Sequence, residues 1–315
     1  MSRLRAKCPD CGTFTAVALG PGYECHACGR EFAAGLVRVP RAWGEGGEAI
    51  AEAAQLRVPY PEVAVVEEDT LGDQTLTLAA ELPERPFVLG GCCCTHVGAV
   101  EGLAARYDRL ALVWVDAHGD LNTPESSPTG NLWGMPLRMI LDSGAVDAED
   151  TILIGARNLD PPEEEHIASI GLRTDPAQLD EALDGADGVY VAFDGDSLEP
   201  GEIRSFMPEP GGLMLDEAEE LLRRVAKQSP VLGAGFTALL PDPANVEPVT
   251  EQPRLMLAQV HLSRDRAARQ AGRLGTPTRL PRWGPRPARC HPLRLSAGKL
   301  TSREAAAVVP DDGGR

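Results

Sequence analysis

The sequence predicts a layered α/β domain on a mainly parallel sheet, preceded by a small cysteine-rich unit. Three observations carry this. Short, continuous apolar runs recur between Asp, Gly and Pro turns, and stretches with helical spacing lie between them. Two CxxC pairs stand within the first 34 residues.

The clearest apolar runs are Pro86–Gly90, Leu110–Val115, 151–155, 188–193 and 231–235. They are short, continuous and together rich in β-branched and aromatic residues, as strands buried on both faces of a parallel sheet are. Helical patterns fill the intervals. Residues 95–107 follow the first run, 133–141 follow the second, and 176–183 precede the fourth. The stretch 213–226 repeats apolar residues at Leu213, Leu215, Ala218, Leu221, Leu222 and Val225. It places Arg223, Arg224 and Lys227 in its last turn, where the helix dipole favours cations. Strand alternating with helix argues a layered α/β domain. Polar residues just beyond the strand ends are then the first place to look for a site.

The chain has 315 residues, enough for a full core, and a formal net charge of -17. Such an acidic surface disfavours nucleic acid as a partner. No run approaches the ~20 apolar residues of a membrane span. Met1 to Lys7 are charged and lead straight into Cys8, so the expectation is a cytoplasmic protein without a secretory signal. Residues 261–315 are basic and rich in Arg, Pro, Gly and Ala, which predicts a disordered tail. Cys290 and His291 within it are too few for a metal site. The expected domains are therefore 1–34, 35–260 and the tail 261–315.

Cys8-Pro9-Asp10-Cys11-Gly12 and Cys25-His26-Ala27-Cys28-Gly29 are two knuckles separated by 13 residues. Two residues between thiolates let both sulfurs meet one ion, and the glycine after each pair tolerates the tight turn. Four sulfurs suit tetrahedral Zn²⁺, and a unit this small needs the ion because it has almost no core. A structural zinc ribbon on Cys8, Cys11, Cys25 and Cys28 is the expectation, with a redox dithiol as the weaker alternative. Phe14, Tyr23 and Phe32 are expected to pack inside it, and His26 to face solvent. Residues 1–34 carry four basic and three acidic residues, so no basic patch stands out. The ribbon is expected to contact protein or simply to stabilise the main domain.

After the second apolar run comes Asp116-Ala117-His118-Gly119-Asp120, and Asp194 and Asp196 follow the fourth. In an extended segment residues 116, 118 and 120 point the same way. Carboxylates gathered on one face are costly unless a cation compensates them. Brought together at strand ends, these groups suit one or two divalent cations. Ordinary solvent-exposed turns are the bland alternative.

Over roughly residues 36–245 the sequence resembles the ureohydrolases, the arginase, agmatinase and formimidoylglutamase family. The resemblance rests on Gly90-Gly91, Trp114-Val115-Asp116-Ala117-His118-Gly119-Asp120 and Asn122-Thr123-Pro124. It continues through Thr129-Gly130-Asn131-Leu132-Trp133-Gly134-Met135-Pro136, Gly155-Ala156-Arg157-Asn158-Leu159-Asp160, Phe193-Asp194-Gly195-Asp196 and Pro210-Gly211-Gly212-Leu213. It implies a three-layer α/β/α domain, an oligomer, and a two-manganese site that hydrolyses a guanidino or related C–N bond in a small molecule. In the implied ligand set Asp116 and Asp194 bridge the metals, Asp120 completes the first, and His118 and Asp196 complete the second. The remaining first-metal ligand, a histidine in the family, falls on Cys93. A thiolate there suits Zn²⁺ or Fe²⁺ better than Mn²⁺, and His96 could substitute only with local rearrangement. If the segment is extended, Cys92 and Cys94 alternate away from Cys93; a nucleophilic Cys93 is a minor alternative.

The implied chemistry is attack by a metal-bridging hydroxide, with Asp120 accepting its hydrogen bond. Asn122, Thr129, Asn131, Asn158, Asp160 and Glu163 correspond to the polar loops that bind substrate. Two departures stand against this. The family's proton-shuttling histidine falls on Trp133, whose indole cannot exchange protons in this range but could stack on a flat substrate. The glutamate that grips a guanidinium falls on Ala238, with Glu247 nearby in sequence. Three readings stay open: a C–N metallohydrolase, a catalytically inactive binding or regulatory subunit that uses its ribbon for protein contact, and a metal-bound scaffold in a larger complex.

Overall fold

A computed structural model of the protein describes residues 4–257. The tail expected over 261–315, and the last residues of the domain expected to 260, lie outside the described residues.

The first residues build an antiparallel sheet of β1 (Arg5–Ala6), β2 (Ala16–Leu19), β3 (Gly22–Cys25) and β4 (Glu31–Phe32), paired in that order. Gly12 and Gly29, one after each CxxC pair, take φ of 68° and 73°. Their N–H groups donate back to the carbonyls of Cys8 and Cys25. This is the left-handed turn that a side chain would resist. Tyr23 and Phe32 are buried, as expected, and His26 is exposed. Phe14 is not part of this packing: it is 66% exposed, because it lies in the turn before β2 and not on the sheet's inner face.

The chain then alternates through β5 (Gly35–Val39), α1 (Glu48–Ala53), β6 (Glu62–Val65), α2 (Leu71–Glu81), β7 (Pro86–Gly90) and α3 (Thr95–Ala104). It continues with β8 (Leu110–Val115), α4 (Pro136–Ser143), β9 (Thr151–Ile154), α5 (Pro161–Ile170) and α6 (Leu179–Leu183). The last described elements are β10 (Gly188–Asp194), α7 (Leu215–Gln228), β11 (Val231–Thr237) and α8 (Val246–Leu257). Seven strands form one parallel sheet in the order β6-β5-β7-β11-β10-β8-β9.

Successive residues of each strand point to opposite faces, and both faces are covered. Phe87, Val113, Val191, Phe193 and Phe236 pack against Leu183 of α6, Leu222 and Val225 of α7 and Val249 of α8. Val88, Leu112, Trp114 and Tyr190 pack against Leu78, Val100, Leu103 and Leu137 of α2 to α4. The result is three layers, α/β/α, which is why the central strands read as unbroken apolar runs.

The five expected strands are all present, β10 and β11 extending to Asp194 and Thr237. Pro136 occupies the first turn of α4, so the pattern over 133–141 begins as a 3-10 turn at Leu132–Gly134. β5 and β6 were not legible as strands. Arg38 interrupts the apolar run of β5, yet its guanidinium is buried, donating to the carbonyls of Ala54 and Leu56 and to the Glu62 carboxylate.

The small sheet joins the edge of the large one. Lys7 and Glu62 exchange backbone hydrogen bonds of 2.8 and 3.0 Å, and Val63 packs into the ribbon core with Tyr23. Edge strand β6 is thereby partly capped. No helix among the described residues is long and apolar enough to cross a membrane.

Candidate metal centre

Strands β8 and β10 pair in register, Val115 opposite Phe193, so Asp116 and Asp194 emerge side by side at their carboxyl ends. β11 adds Thr237 opposite Asp194. Cys93 arrives from the loop after β7, where Gly91 is required: a Cβ there would lie 2.3 Å from the Arg41 carbonyl oxygen. That loop is not extended. The N–H groups of Thr95, His96 and Val97 donate to the carbonyls of Cys92, Cys93 and Cys94, so the three cysteines begin a helical turn. Cys93 faces the acidic groups, while Cys92 and Cys94 pack with Ile50.

The donor atoms form two groups that share Asp116: Cys93 with Asp116 and Asp120, and Asp116 with His118 and Asp196, each set lying within 4.8 Å. Asp194 belongs to neither group by that distance. Its Oδ2 accepts from the Cys93 thiol at 2.7 Å, and its Oδ1 accepts from the Asp196 N–H at 2.9 Å. Asp116 is held by Trp114, whose indole N–H donates to Oδ2, and by the His118 N–H on Oδ1. His118 Nδ1 lies 3.1 Å from Asp196 Oδ2. Residues 116–120 do not continue the strand. Asp120 takes φ 53°, and this left-handed step aims its carboxylate inward.

The electrostatics call for a cation. Burial first, and then neighbouring carboxylates, hold Asp116, Asp120 and Asp194 above the usual carboxylate range. Burial and the same carboxylates push the Cys93 thiol up. Burial pulls His118 down, but Asp116 and Asp196 outweigh it and raise the imidazole to about 12. One imidazolium cannot balance four acids, and Asp120 Oδ2 is buried with no partner. An orphaned acceptor amid mutually repelling oxygens is what divalent cations satisfy, so the residues fit the ions.

Above these donors lies a cavity of about 260 Å³. Asn122, Thr129, Asn131, Asn158, Asp160 and Glu163 all line it, as does Trp133. Several are already engaged with one another. Asn122 donates to Asp160, and the Asn131 side-chain Oδ1 accepts from the Glu45 N–H. Both Glu163 oxygens accept backbone N–H groups, of Leu121 and Asp160, at the start of α5. Ala238 lines the cavity at φ 55°, and Glu247 does not, lying instead in a separate groove beside Pro9 and Asp10. His96 is buried and bonded to the hydroxyls of Tyr190 and Thr237, apart from both donor groups.

Phe206, Met207 and Thr237 were missed. Phe206 meets the Trp133 ring edge-on at 5.6 Å, and Met207 completes this apolar side. Two apolar residues inside an otherwise polar loop were the available signal. The Thr237 hydroxyl lies 3.1 Å from Cys93 Sγ. Asp120, Met207 and Ala238, the non-glycine residues with positive φ among those described, all line this cavity, and such backbone strain concentrates at functional sites.

In the ribbon, Cys8, Cys11, Cys25 and Cys28 bring their sulfurs together, with Sγ–Sγ distances of 3.8 Å (Cys8–Cys28) and 3.6 Å (Cys11–Cys25). A tetrahedron with metal–sulfur bonds of about 2.3 Å has edges of about 3.8 Å. The four thiols therefore fit one structural metal ion.

A three-layer parallel fold with an intact candidate catalytic metal site at its strand ends defines the class. The chain belongs to the arginase family, whose model, "Arginase family", matches residues 50–253. It is 31% identical to the arginase of Bacillus subtilis (strain 168) over 194 residues, 53% of this chain and 66% of that protein. It is 36% identical to that of Staphylococcus aureus (strain COL) over 142 residues, 37% of this chain and 47% of that protein. The matched stretches thus span about half to two thirds of these relatives. Among solved structures, arginase from Bacillus caldovelox superposes with a TM-score of 0.60 at 24% identity, over 71% of this chain and 96% of that one. Proclavaminate amidino hydrolase from Streptomyces clavuligerus gives 0.58 at 21%, over 71% and 90%. At such identities these two likenesses concern the fold.

Proposed function

We propose that this protein is an enzyme, a metal-dependent hydrolase of a C–N bond in a guanidino, amidino or amide-like small molecule. The observation that carries the reading is the pair of donor groups sharing Asp116, with Asp120 Oδ2 left unpartnered at the floor of the cavity. Two divalent cations held by Cys93, Asp116, His118, Asp120, Asp194 and Asp196 would supply an acidified water and positive charge against the developing oxyanion. Mn²⁺ is suggested by family membership, and the Cys93 sulfur favours Zn²⁺ or Fe²⁺. The ribbon cysteines would hold a separate structural Zn²⁺.

The chain's own residues do the rest. Asp120 accepts a proton from the attacking water as the new C–O bond forms. It returns that proton to the amine nitrogen as the C–N bond breaks, because the Trp133 indole N–H cannot exchange in this range. Trp133 and Phe206 offer a wall on which a planar group stacks. Asn122, Thr129, Asn131, Asn158, Asp160 and Glu163 form the polar side that would orient the remainder of the substrate.

A second reading, a binding or regulatory subunit that uses its ribbon for protein contact, is favoured by Trp133 and Ala238 standing where the family has a histidine and a glutamate. The test is a screen of guanidines, amidines and amides with Mn²⁺, Zn²⁺ or Fe²⁺, scoring amine, ammonia or urea release. Metal-dependent turnover that Asp120→Asn abolishes supports the hydrolase. A metal-loaded main site that turns over nothing supports the subunit.

A further inference from the structure

His118 presents Nδ1 to the donor group it shares with Asp116 and Asp196. For Nδ1 to offer a lone pair to a cation, Nε2 must carry the ring proton. Nε2 is buried and has no hydrogen-bond partner. The group that faces it is the carboxylate of Glu209, whose Oε1 lies 3.9 Å away. Glu209 is set there by its loop. Its carbonyl accepts from the Arg157 guanidinium at 2.6 Å, and the same guanidinium donates to the carbonyl of Asp196, itself in the donor group. The Asn158 amide donates to Glu209 Oε1 at 2.8 Å. Glu199 fixes the following Gly211 and Gly212 N–H groups. The main chain is therefore pinned, and the side chain, 29% exposed, is held at Oε1 by the Asn158 amide beside the imidazole. A movement of about 1 Å brings Oε1 to hydrogen-bonding distance.

We infer that Glu209 is a positioning residue for the metal centre: it accepts the Nε2 proton of His118, selects the tautomer that ligates through Nδ1, and makes that nitrogen a stronger donor. The inference rests on the metal-site reading above and adds a residue outside the ligand set. A carboxylate behind a metal-bound imidazole typically contributes 10–100-fold in affinity.

The test is Co²⁺ binding, followed by visible absorption, in full-length protein whose ribbon already holds Zn²⁺. Co²⁺ accepts thiolate, imidazole and carboxylate alike. Glu209→Ala is expected to weaken Co²⁺ binding at the main site by roughly 10–100-fold, with the unfolding midpoint of the protein lacking main-site metal unchanged. Glu209→Gln keeps an acceptor oxygen and is expected to recover part of the loss. Unaltered binding in Glu209→Ala overturns the inference alone. So does weakening that follows a fall in the midpoint and is not recovered by Glu209→Gln, since a collapsed loop explains both. A wild-type main site that takes up no Co²⁺ overturns the metal-site reading and this inference together.

Discussion

The Cys93 thiol donates to Asp194 Oδ2 at 2.7 Å, joining the loop after β7 to the end of β10 across the intervening strand β11. A soft sulfur thereby occupies one corner of a site whose other donors are oxygen and a single imidazole. Cys93→His is expected to shift the preference of the main site from Zn²⁺ toward Mn²⁺. Competition between the two ions, read by metal analysis after gel filtration, checks this; an unchanged ratio would mean that the thiol is no ligand.

Asp120 combines positive φ, burial and an orphaned oxygen. Asn tolerates the left-handed region nearly as well as Asp, so Asp120→Asn removes charge without adding strain. With main-site metal stripped, the variant is expected to be about 1–2 kcal/mol more stable than wild type, because one buried repelling carboxylate is gone. With metal, turnover is expected to fall by roughly 10²-fold or more. Urea unfolding in chelator and a steady-state assay measure the two effects.

The ribbon supports the large sheet through Lys7, Tyr23 and Val63. Cys25→Ser, which breaks the four-thiol group, is expected to expose Val63 and to cost the main domain about 2 kcal/mol from that side chain alone. Amide exchange over 62–65 should rise, since the edge of β6 loses its cap. Protection there equal to wild type would show that the ribbon stabilises only itself.

Burial lowers His96 to about 3, partly opposed by Asp116. The folded state thus keeps this imidazole neutral while the unfolded chain binds a proton near pH 6.5. Between about pH 6.5 and 3 the unfolded state holds more protons, so stability falls as pH falls. The slope from this group approaches 1.4 kcal/mol per pH unit, and above pH 6.5 it vanishes. Below pH 6.5 the unfolding free energies of wild type and His96→Gln, read from urea titrations, should differ in their pH dependence by about that slope; parallel curves would place the acid sensitivity elsewhere.

The central strands were legible because burial on both faces leaves an unbroken apolar run, and the CxxC pairs because their spacing is itself the geometry of the turn. β5 escaped because Arg38 looks like a surface residue. It is buried only because Ala54, Leu56 and Glu62 satisfy it, and those partners come from other elements. The acidic motifs announced a cation site, but extended alternation was not how residues 116–120 built it; the left-handed Asp120 was.

What the sequence determined by itself was whatever a few neighbouring residues can encode: strand runs, the four-sulfur cluster, and carboxylates placed two apart at strand ends. The folded chain alone decided which distant groups meet, such as Glu209 with His118, Phe206 with Trp133, and Lys7 with Glu62. Parallel strands need long crossovers, so residues that share a site arrive on separate loops. Local periodicity carries no record of the distance between them.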